Sequence, residues 1–237
     1  MDLKGRIRNA ERVAVLTGAG ISAESGIPTF RGADGLWKQF RAEELATPQA
    51  FQRDPKLVWE WYDWRRQKCA RAVPNPGHLA LAELERIATH FTLITQNVDG
   101  LHALAGSKHI LELHGNIWRM RCVACEAMRE SREPLGGELP RCDCGALMRP
   151  DIVWFGEALP QQVLSEAFDC ARSAEVFLSV GTSAWVMPAC QLPVVAKQSG
   201  AYVVEVNLEK TPISEMVDEA HHGKAGEILP SLLGVEI

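Results

Sequence analysis

Residues 18–32 read Gly-Ala-Gly-Ile-Ser-Ala-Glu-Ser-Gly-Ile-Pro-Thr-Phe-Arg-Gly, directly after the apolar run Val13-Ala14-Val15-Leu16-Thr17. A short strand feeding a glycine turn brings backbone amides close to a phosphate. Gly18, Gly20 and Ala23 fit the G-x-G-x-x-G/A dinucleotide fingerprint, although such a turn also serves purely structural ends. Gly26-Ile27-Pro28 then breaks the expected helix within a few residues, because proline has no amide and glycine is a weak helix former. Phe30-Arg31-Gly32 follows, placing an aromatic ring and a cation on a loop able to cover a bound dinucleotide.

Three further groups carry chemistry. Thr95-Gln96-Asn97-Val98-Asp99-Gly100-Leu101-His102 combines amides and a carboxylate, a donor and acceptor set suited to ribose hydroxyls and a carboxamide. Glu112-Leu113-His114-Gly115-Asn116 offers an imidazole whose ordinary pKa of about 6.5 suits a general base; a structural histidine is the alternative. His102 reads as structural. Cys122-Val-Ala-Cys125 is followed after sixteen residues by Cys142-Asp-Cys144, two thiol pairs able to close a tetrahedral zinc site. The C-x-C bite is tighter than usual, and free or redox-active thiols are the alternative. Four protein ligands leave no open position, so the metal would be structural. Cys69, Cys170 and Cys190 fall in helical patterns and read as core residues.

These groups need a scaffold that gathers them. Strands are expected at Val13–Thr17, Phe91–Thr95, Ile110–His114, Val176–Val180 and Tyr202–Val206, with helices at Gly77–Thr89, Gln161–Arg172 and Met187–Ser199. The alternation predicts an α/β fold, a Rossmann-like parallel sheet with helices on both faces. Ligands collect at the carboxyl ends of such strands, where Gly18–Ser22, Gln96–Asp99, His114–Asn116, Gly181–Ser183 and Asn207 all fall. Two insertions complete a small domain: a helical, Trp-rich module over 34–76 and the cysteine module over 119–150. The Rossmann-like part then comprises 1–33, 77–118 and 151–237.

The chain has 237 residues and a formal net charge of −5, which argues against non-specific nucleic-acid binding through a basic surface. No apolar run approaches the ~20 residues of a membrane span. The first residues lack a signal-peptide core, so a cytoplasmic location is expected. The chain reads as self-sufficient as a monomer.

Together, GAGISAESGIPTFRG at 18–32, TQNVDGLH at 95–102, HGN at 114–116, the two cysteine pairs, IVWFGE at 152–157, GTS at 181–183 and VN at 206–207 resemble the sirtuins, NAD-dependent protein lysine deacylases. The motifs stand in family order and span nearly the whole chain. The resemblance implies NAD as cofactor, one structural zinc on Cys122, Cys125, Cys142 and Cys144, and acylated-lysine proteins or peptides as partners. It places the NAD phosphates against Gly18, Ala19, Gly20, Ser22, Gly181, Thr182 and Ser183. Phe30, Arg31 and Trp37 would belong to the cofactor side, Gln96 and Asn97 to the nicotinamide ribose, and Asp99 to the carboxamide. Asn207 and Ala225 would hold the adenosine end. His114, with Asn97 beside it, looks like the catalytic pair, His114 removing a ribose hydroxyl proton. Free lysine, nicotinamide and O-acyl-ADP-ribose are the implied products. Val153, Phe155 and Gly156 resemble the segment that pairs with the substrate backbone as an added strand.

Tyr62 and Arg65 stand three apart on an expected helix and so share a face. Arginine binds a carboxylate bidentately and tyrosine adds a hydroxyl donor. Tyr-x-x-Arg resembles the sirtuin branch that removes succinyl, malonyl and glutaryl groups, in which a small residue such as Ala46 leaves room for a longer chain. A solvated basic face shared with Arg66 and Lys68 is the alternative. Trp59, Trp61 and Trp64 depart from that branch and bear on the pocket's shape. A plain deacetylase or a mono-ADP-ribosyltransferase on the same scaffold is the alternative activity.

Overall fold

The computed structural model describes residues 1–29 and 42–235. Phe30, Arg31 and Trp37 therefore lie outside the described residues. The chain opens with helix α1 (Leu3–Asn9), strand β1 (Arg12–Thr17) and the short helix α2 (Ala19–Ala23). Helices α3 (Ala42–Leu45), α4 (Pro48–Arg53), α5 (Pro55–Arg71) and α6 (Pro76–Ile87) follow. Then come β2 (His90–Thr95), α7 (Leu101–Ala105), β3 (Ile110–Glu112), β4 (Gly115–Cys122), β5 (Met128–Glu130) and β6 (Met148–Ile152). The chain closes with α8 (Gln161–Ser173), β7 (Val176–Val180), α9 (Leu192–Gln198), β8 (Tyr202–Asn207), β9 (Glu219–His222) and α10 (Ala225–Leu233).

Six strands form one sheet in the order β3-β2-β1-β7-β8-β9, and every pairing is parallel. Alternate residues of each central strand serve opposite faces, as the two-residue period of a strand requires. Val13, Val15, Leu93, Leu178 and Val204 pack with Leu81, Leu84 and Leu229 on one side. Ala14, Leu16, Ile94, Phe177 and Val203 pack with Ala167, Ala171, Leu192 and Ala196 on the other. Burial on both faces explains why these strands read as near-continuous apolar runs.

The order of connection reverses between β1 and β7, and this switch point opens a crevice at their carboxyl ends. There the loops after the two strands meet backbone to backbone. A Cβ on Gly20 would lie 2.7 Å from Gly181 Cα, and one on Gly181 (φ +60°) would lie 2.3 Å from the Ile21 nitrogen. No side chain fits at either position.

A second sheet, β5-β4-β6, is antiparallel. With α4 and α5 it buries Phe51, Val58, Trp59, Trp61, Tyr62, Ile117, Trp118, Met148 and Trp154. Side-chain caps start the helices of this module. Thr47 accepts from the Ala50 amide at 3.0 Å and Asp54 from the Leu57 amide at 3.0 Å, each followed by proline at the first helical position.

The sequence expectations differ from the structure in several places. The third strand stops at Glu112 rather than His114, because Gly115 turns the chain at φ +80°. The small sheet starts at Gly115 and ends at Ile152, beyond the 119–150 span, because β4 and β6 pair along their length. The helix expected from Met187 begins at Leu192 after a 3-10 turn over Ala189–Gln191, since Pro193 belongs in a first turn. Strand β9, with the polar sequence Glu-Ala-His-His, has no apolar signal and forms only as the edge partner of β8. Of Cys69, Cys170 and Cys190, only Cys69 is buried.

Gly115, next to His114, carries the sharpest constraint: a Cβ there would meet the Asp151 carbonyl oxygen at 2.0 Å. Gly115→Ala is therefore expected to destabilise the chain by more than ~2 kcal/mol. Urea unfolding measures this, and an unchanged midpoint would contradict the packing.

Candidate active site

The crevice is a cleft of about 1250 Å³. Its switch-point side is lined by Gly18, Ala19, Gly20, Gly181, Thr182 and Ser183, and its far end by Asn207, Lys224 and Ala225. Gln96, Asn97 and His114 stand at its centre, and Ala46, Trp61, Tyr62, Arg65 and Ile152–Glu157 form the opposite wall. The volume exceeds that of most small-ligand pockets, about 300–1,000 Å³, and suits an extended ligand.

The central amides are held from behind. Gln96 Nε2 donates to Thr182 Oγ1 at 3.1 Å, and Asn97 Nδ2 donates to the Gly18 carbonyl at 3.0 Å and to Ser22 Oγ at 3.2 Å. Ser22 and Asp99 do not face this cleft. They line a small adjoining cavity of about 40 Å³ with Ala19, Asn97 and Arg65. Asp99 accepts from Ser22 Oγ at 2.8 Å and from the Leu101 amide at 2.9 Å. Burial raises the Asp99 pKa, and these two donors oppose the shift.

His78, which no sequence motif singles out, completes that network. Its Nδ1 takes the Asn75 amide at 3.3 Å, so Nε2 carries the proton and faces Ser22 Oγ at 3.4 Å. Burial lowers its pKa to about 4, so the ring is neutral. His102 is structural: it is buried, its Nε2 lies 2.9 Å from Thr17 Oγ1, and burial lowers its pKa to about 3.

His114 follows β3, where the chain leaves the large sheet for the small one. Its Nδ1 lies 2.9 Å from the Gln96 carbonyl oxygen. A carbonyl only accepts, so Nδ1 carries the proton and Nε2 keeps its lone pair. Burial lowers the His114 pKa, partly opposed by that hydrogen bond. The ring is therefore neutral at pH 7, with one nitrogen ready to accept a proton. Arg119 braces this turn by bridging Glu112 at 2.7 Å and Asp151 at 3.0 Å.

On the opposite wall Tyr62 is fully buried. Its oxygen accepts from Trp154 Nε1 at 2.9 Å, and burial raises its pKa, so the phenol keeps its proton. The Arg65 guanidinium lies 4.9 Å from the centre of the Trp61 ring and 5.4 Å from that of Tyr62. Trp61 Nε1 is a buried donor with no acceptor among the described residues. The wall thus presents donors. Ala46 is buried and its carbonyl takes the Phe155 amide at 2.9 Å, while the Val153 amide donates to the His114 carbonyl at 3.0 Å. These two bonds pin 153–156 as a ledge beside the cleft. Of the tryptophans, Trp59 is committed elsewhere, its indole donating to the Met148 carbonyl at 2.8 Å. The donor role of Trp61 was not legible from spacing, because Trp59, Trp61 and Trp64 read alike.

Away from the cleft, the sulfurs of Cys122, Cys125, Cys142 and Cys144 all lie within 4.8 Å of one another. The closest pairs are Cys122–Cys144 at 3.5 Å and Cys125–Cys142 at 3.6 Å. A tetrahedral zinc with Zn–S bonds of about 2.3 Å needs sulfurs about 3.8 Å apart. The four thiols fit a single structural ion, the C-x-C pair included.

A Rossmann-like sheet with a switch-point cleft, a zinc-type cysteine module and a neutral histidine between them defines a narrow class of proteins. The Sir2 family profile matches residues 18–188, and the chain belongs to the Sir2 family. It is 58% identical over 224 residues to a NAD-dependent protein deacylase of Pyrococcus furiosus, covering 92% of this chain and 90% of that protein. It is 59% identical over 215 residues to one from Aquifex aeolicus, covering 90% of each. A solved Sir2 homologue–NAD complex superposes with a TM-score of 0.92 at 48% identity, over 98% of this chain and 91% of the other. A Sir2 with a deacetylated p53 peptide and 3'-O-acetyl ADP ribose superposes at a TM-score of 0.86 and 34% identity, over 99% of this chain and 98% of that one.

The His114 environment makes a prediction independent of activity. Its ring should titrate below the ordinary value of about 6.5, since burial disfavours the charged form. NMR of the ring resonances, assigned with His114→Asn, reports the midpoint. A midpoint above 6.5 would contradict the assigned environment.

Proposed function

We propose that this chain is an NAD-dependent protein lysine deacylase that favours acyl groups ending in a carboxylate, succinyl and malonyl above acetyl. Family membership and the relatives' shared activity support the deacylase reading. The peptide complex of a Sir2 neighbour supports acyl-lysine protein as substrate. The observation that carries the acyl preference is the cluster of donors around Tyr62 on this wall. Tyr62 keeps its proton, Trp61 Nε1 lacks an acceptor among the described residues, and the Arg65 cation lies over both rings.

The cleft fits NAD on two grounds. Its size suits a dinucleotide, and glycines line its switch-point side, where sheets of this kind admit a pyrophosphate. Bound NAD supplies the acyl acceptor, being split into nicotinamide and an ADP-ribose that carries the acyl group away. The chain's own residues do the rest. Of the residues lining the cleft, Gly18, Gly20, Thr182 and Ser183 would hold the phosphates, and Asn207 with Ala225 would hold the adenosine end. Gln96 and Asn97, fixed by Thr182 and the Gly18 carbonyl, orient the nicotinamide ribose. His114 Nε2 takes a ribose hydroxyl proton, and the imidazolium formed is stabilised through Nδ1–H on the Gln96 carbonyl. The substrate backbone pairs along Val153–Gly156, so main-chain bonds supply affinity with little demand on sequence.

A carboxylate oxygen accepts from several donors at once and matches this wall. A short neutral acyl group leaves buried donors unpaired, at a cost of about 1–3 kcal/mol each. Arg65→Met should therefore lower kcat/KM for a succinyl-lysine peptide by roughly 10²-fold more than for its acetyl counterpart. Equal losses on both substrates would point to general packing and contradict the acyl assignment.

A further inference from the structure

A phenol hydroxyl is ambiguous: it donates one hydrogen bond and accepts two. Beside a carboxylate the two orientations have opposite effects. With its proton toward the acyl group Tyr62 attracts the charge, and with a lone pair there it repels it. Whatever occupies the lone pairs of Tyr62 therefore decides what the pocket accepts.

Trp154 occupies one. Its Nε1–H lies 2.9 Å from Tyr62 Oη, and an indole nitrogen only donates, so the direction of this bond is set by chemistry. The Tyr62 proton must point elsewhere, and among the described residues no acceptor receives it. Tyr62 is among the residues lining the cleft, so a ligand acceptor that reaches its hydroxyl can take the unclaimed proton.

The indole cannot easily turn away. Trp154 is 2% exposed, the Arg149 guanidinium stacks 3.3 Å from the centre of its ring, and Phe51 packs at 5.4 Å. Arg149 is itself fixed by a two-point pair with Glu157, at 2.5 and 2.9 Å, and by the Ile152 carbonyl at 3.0 Å. Glu157 also takes the Trp154 backbone amide at 2.8 Å. The ledge that carries the substrate backbone thereby carries the group that orients the acyl pocket.

We propose that Trp154 is a specificity-determining positioning residue: its indole N–H locks Tyr62 as a donor and so commits the acyl pocket to carboxylate-bearing groups. This rests on the acidic-acyl reading above and adds the residue that enforces it. Trp154 acts through Tyr62, so its loss should appear in KM for the charged substrate, the signature of a contact made on binding.

The test uses the whole chain carrying W154F, Y62F or both, assayed with succinyl-lysine and acetyl-lysine forms of one peptide. W154F keeps an aromatic ring but removes the donor together with part of the indole's volume, and the Y62F background separates the two effects. W154F is expected to raise KM for the succinyl peptide about tenfold more than for the acetyl peptide. In the Y62F background W154F should add nothing to that ratio. R149K keeps the indole but loses the planar stack, and it should move the ratio the same way by a smaller factor. It serves if W154F does not fold. A W154F that shifts both substrates equally, or whose effect survives undiminished in Y62F, overturns the positioning role. If Y62F still lowers the succinyl preference in that case, the acidic-acyl reading stands alone. If neither Y62F nor R65M changes the preference, that reading falls and the role of Trp154 falls with it.

Discussion

The contact on which the site depends is the meeting of two backbones at the switch point, where Gly20 packs against Gly181. It sets how closely the loops after β1 and β7 approach, and through Gly18 and Thr182 it anchors Asn97 and Gln96. Gln96 in turn offers the carbonyl that fixes the tautomer of His114. A change of a few tenths of an ångström at the glycines would thus pass through two amides to His114. The parallel sheet supplies the rigidity, since both strands are buried on both faces.

Burial is used in opposite senses around the cleft. It lowers the pKa of His114, leaving a neutral ring that can accept a proton. It raises the pKa of Tyr62, leaving a phenol that can donate one. Both effects come from removing water, which disfavours whichever form is charged. The two protein bodies contribute one each: His114 stands at the end of the large sheet's third strand, and Tyr62 on helix α5 of the small module. The Val153 amide on the His114 carbonyl and the Trp154 indole on Tyr62 join them through one short segment.

Much of this was legible in the sequence. The central strands could be read because apolar runs bounded by glycine and polar loops leave few alternatives, and the glycine spacing after Val13–Thr17 marked the cofactor turn. Tyr62 and Arg65 could be placed on one helical face because three residues nearly complete a turn. The cysteine pairs announced a metal site, while only the structure shows that the C-x-C bite closes it with four sulfurs. Other features depend on distance in space. Trp154 and Tyr62 stand far apart in the chain, His78 meets Ser22 only after α6 folds onto α2, and β9 exists only because β8 has an open edge. Nor does spacing tell the structural Trp59 from Trp61, whose donor is unclaimed.

The proposed tuning of this Sir2 fold to acidic acyl groups is tested most directly by a mass-spectrometric comparison on one peptide. The same lysine, carrying either acetyl or succinyl, is incubated with the full chain with and without NAD, and the remaining acyl-lysine and the acyl-ADP-ribose formed are quantified. NAD-dependent removal of both is expected, with succinyl leaving faster and appearing as O-succinyl-ADP-ribose in step with nicotinamide release. Faster removal of acetyl, or a succinyl peptide left intact while acetyl is consumed, would contradict it.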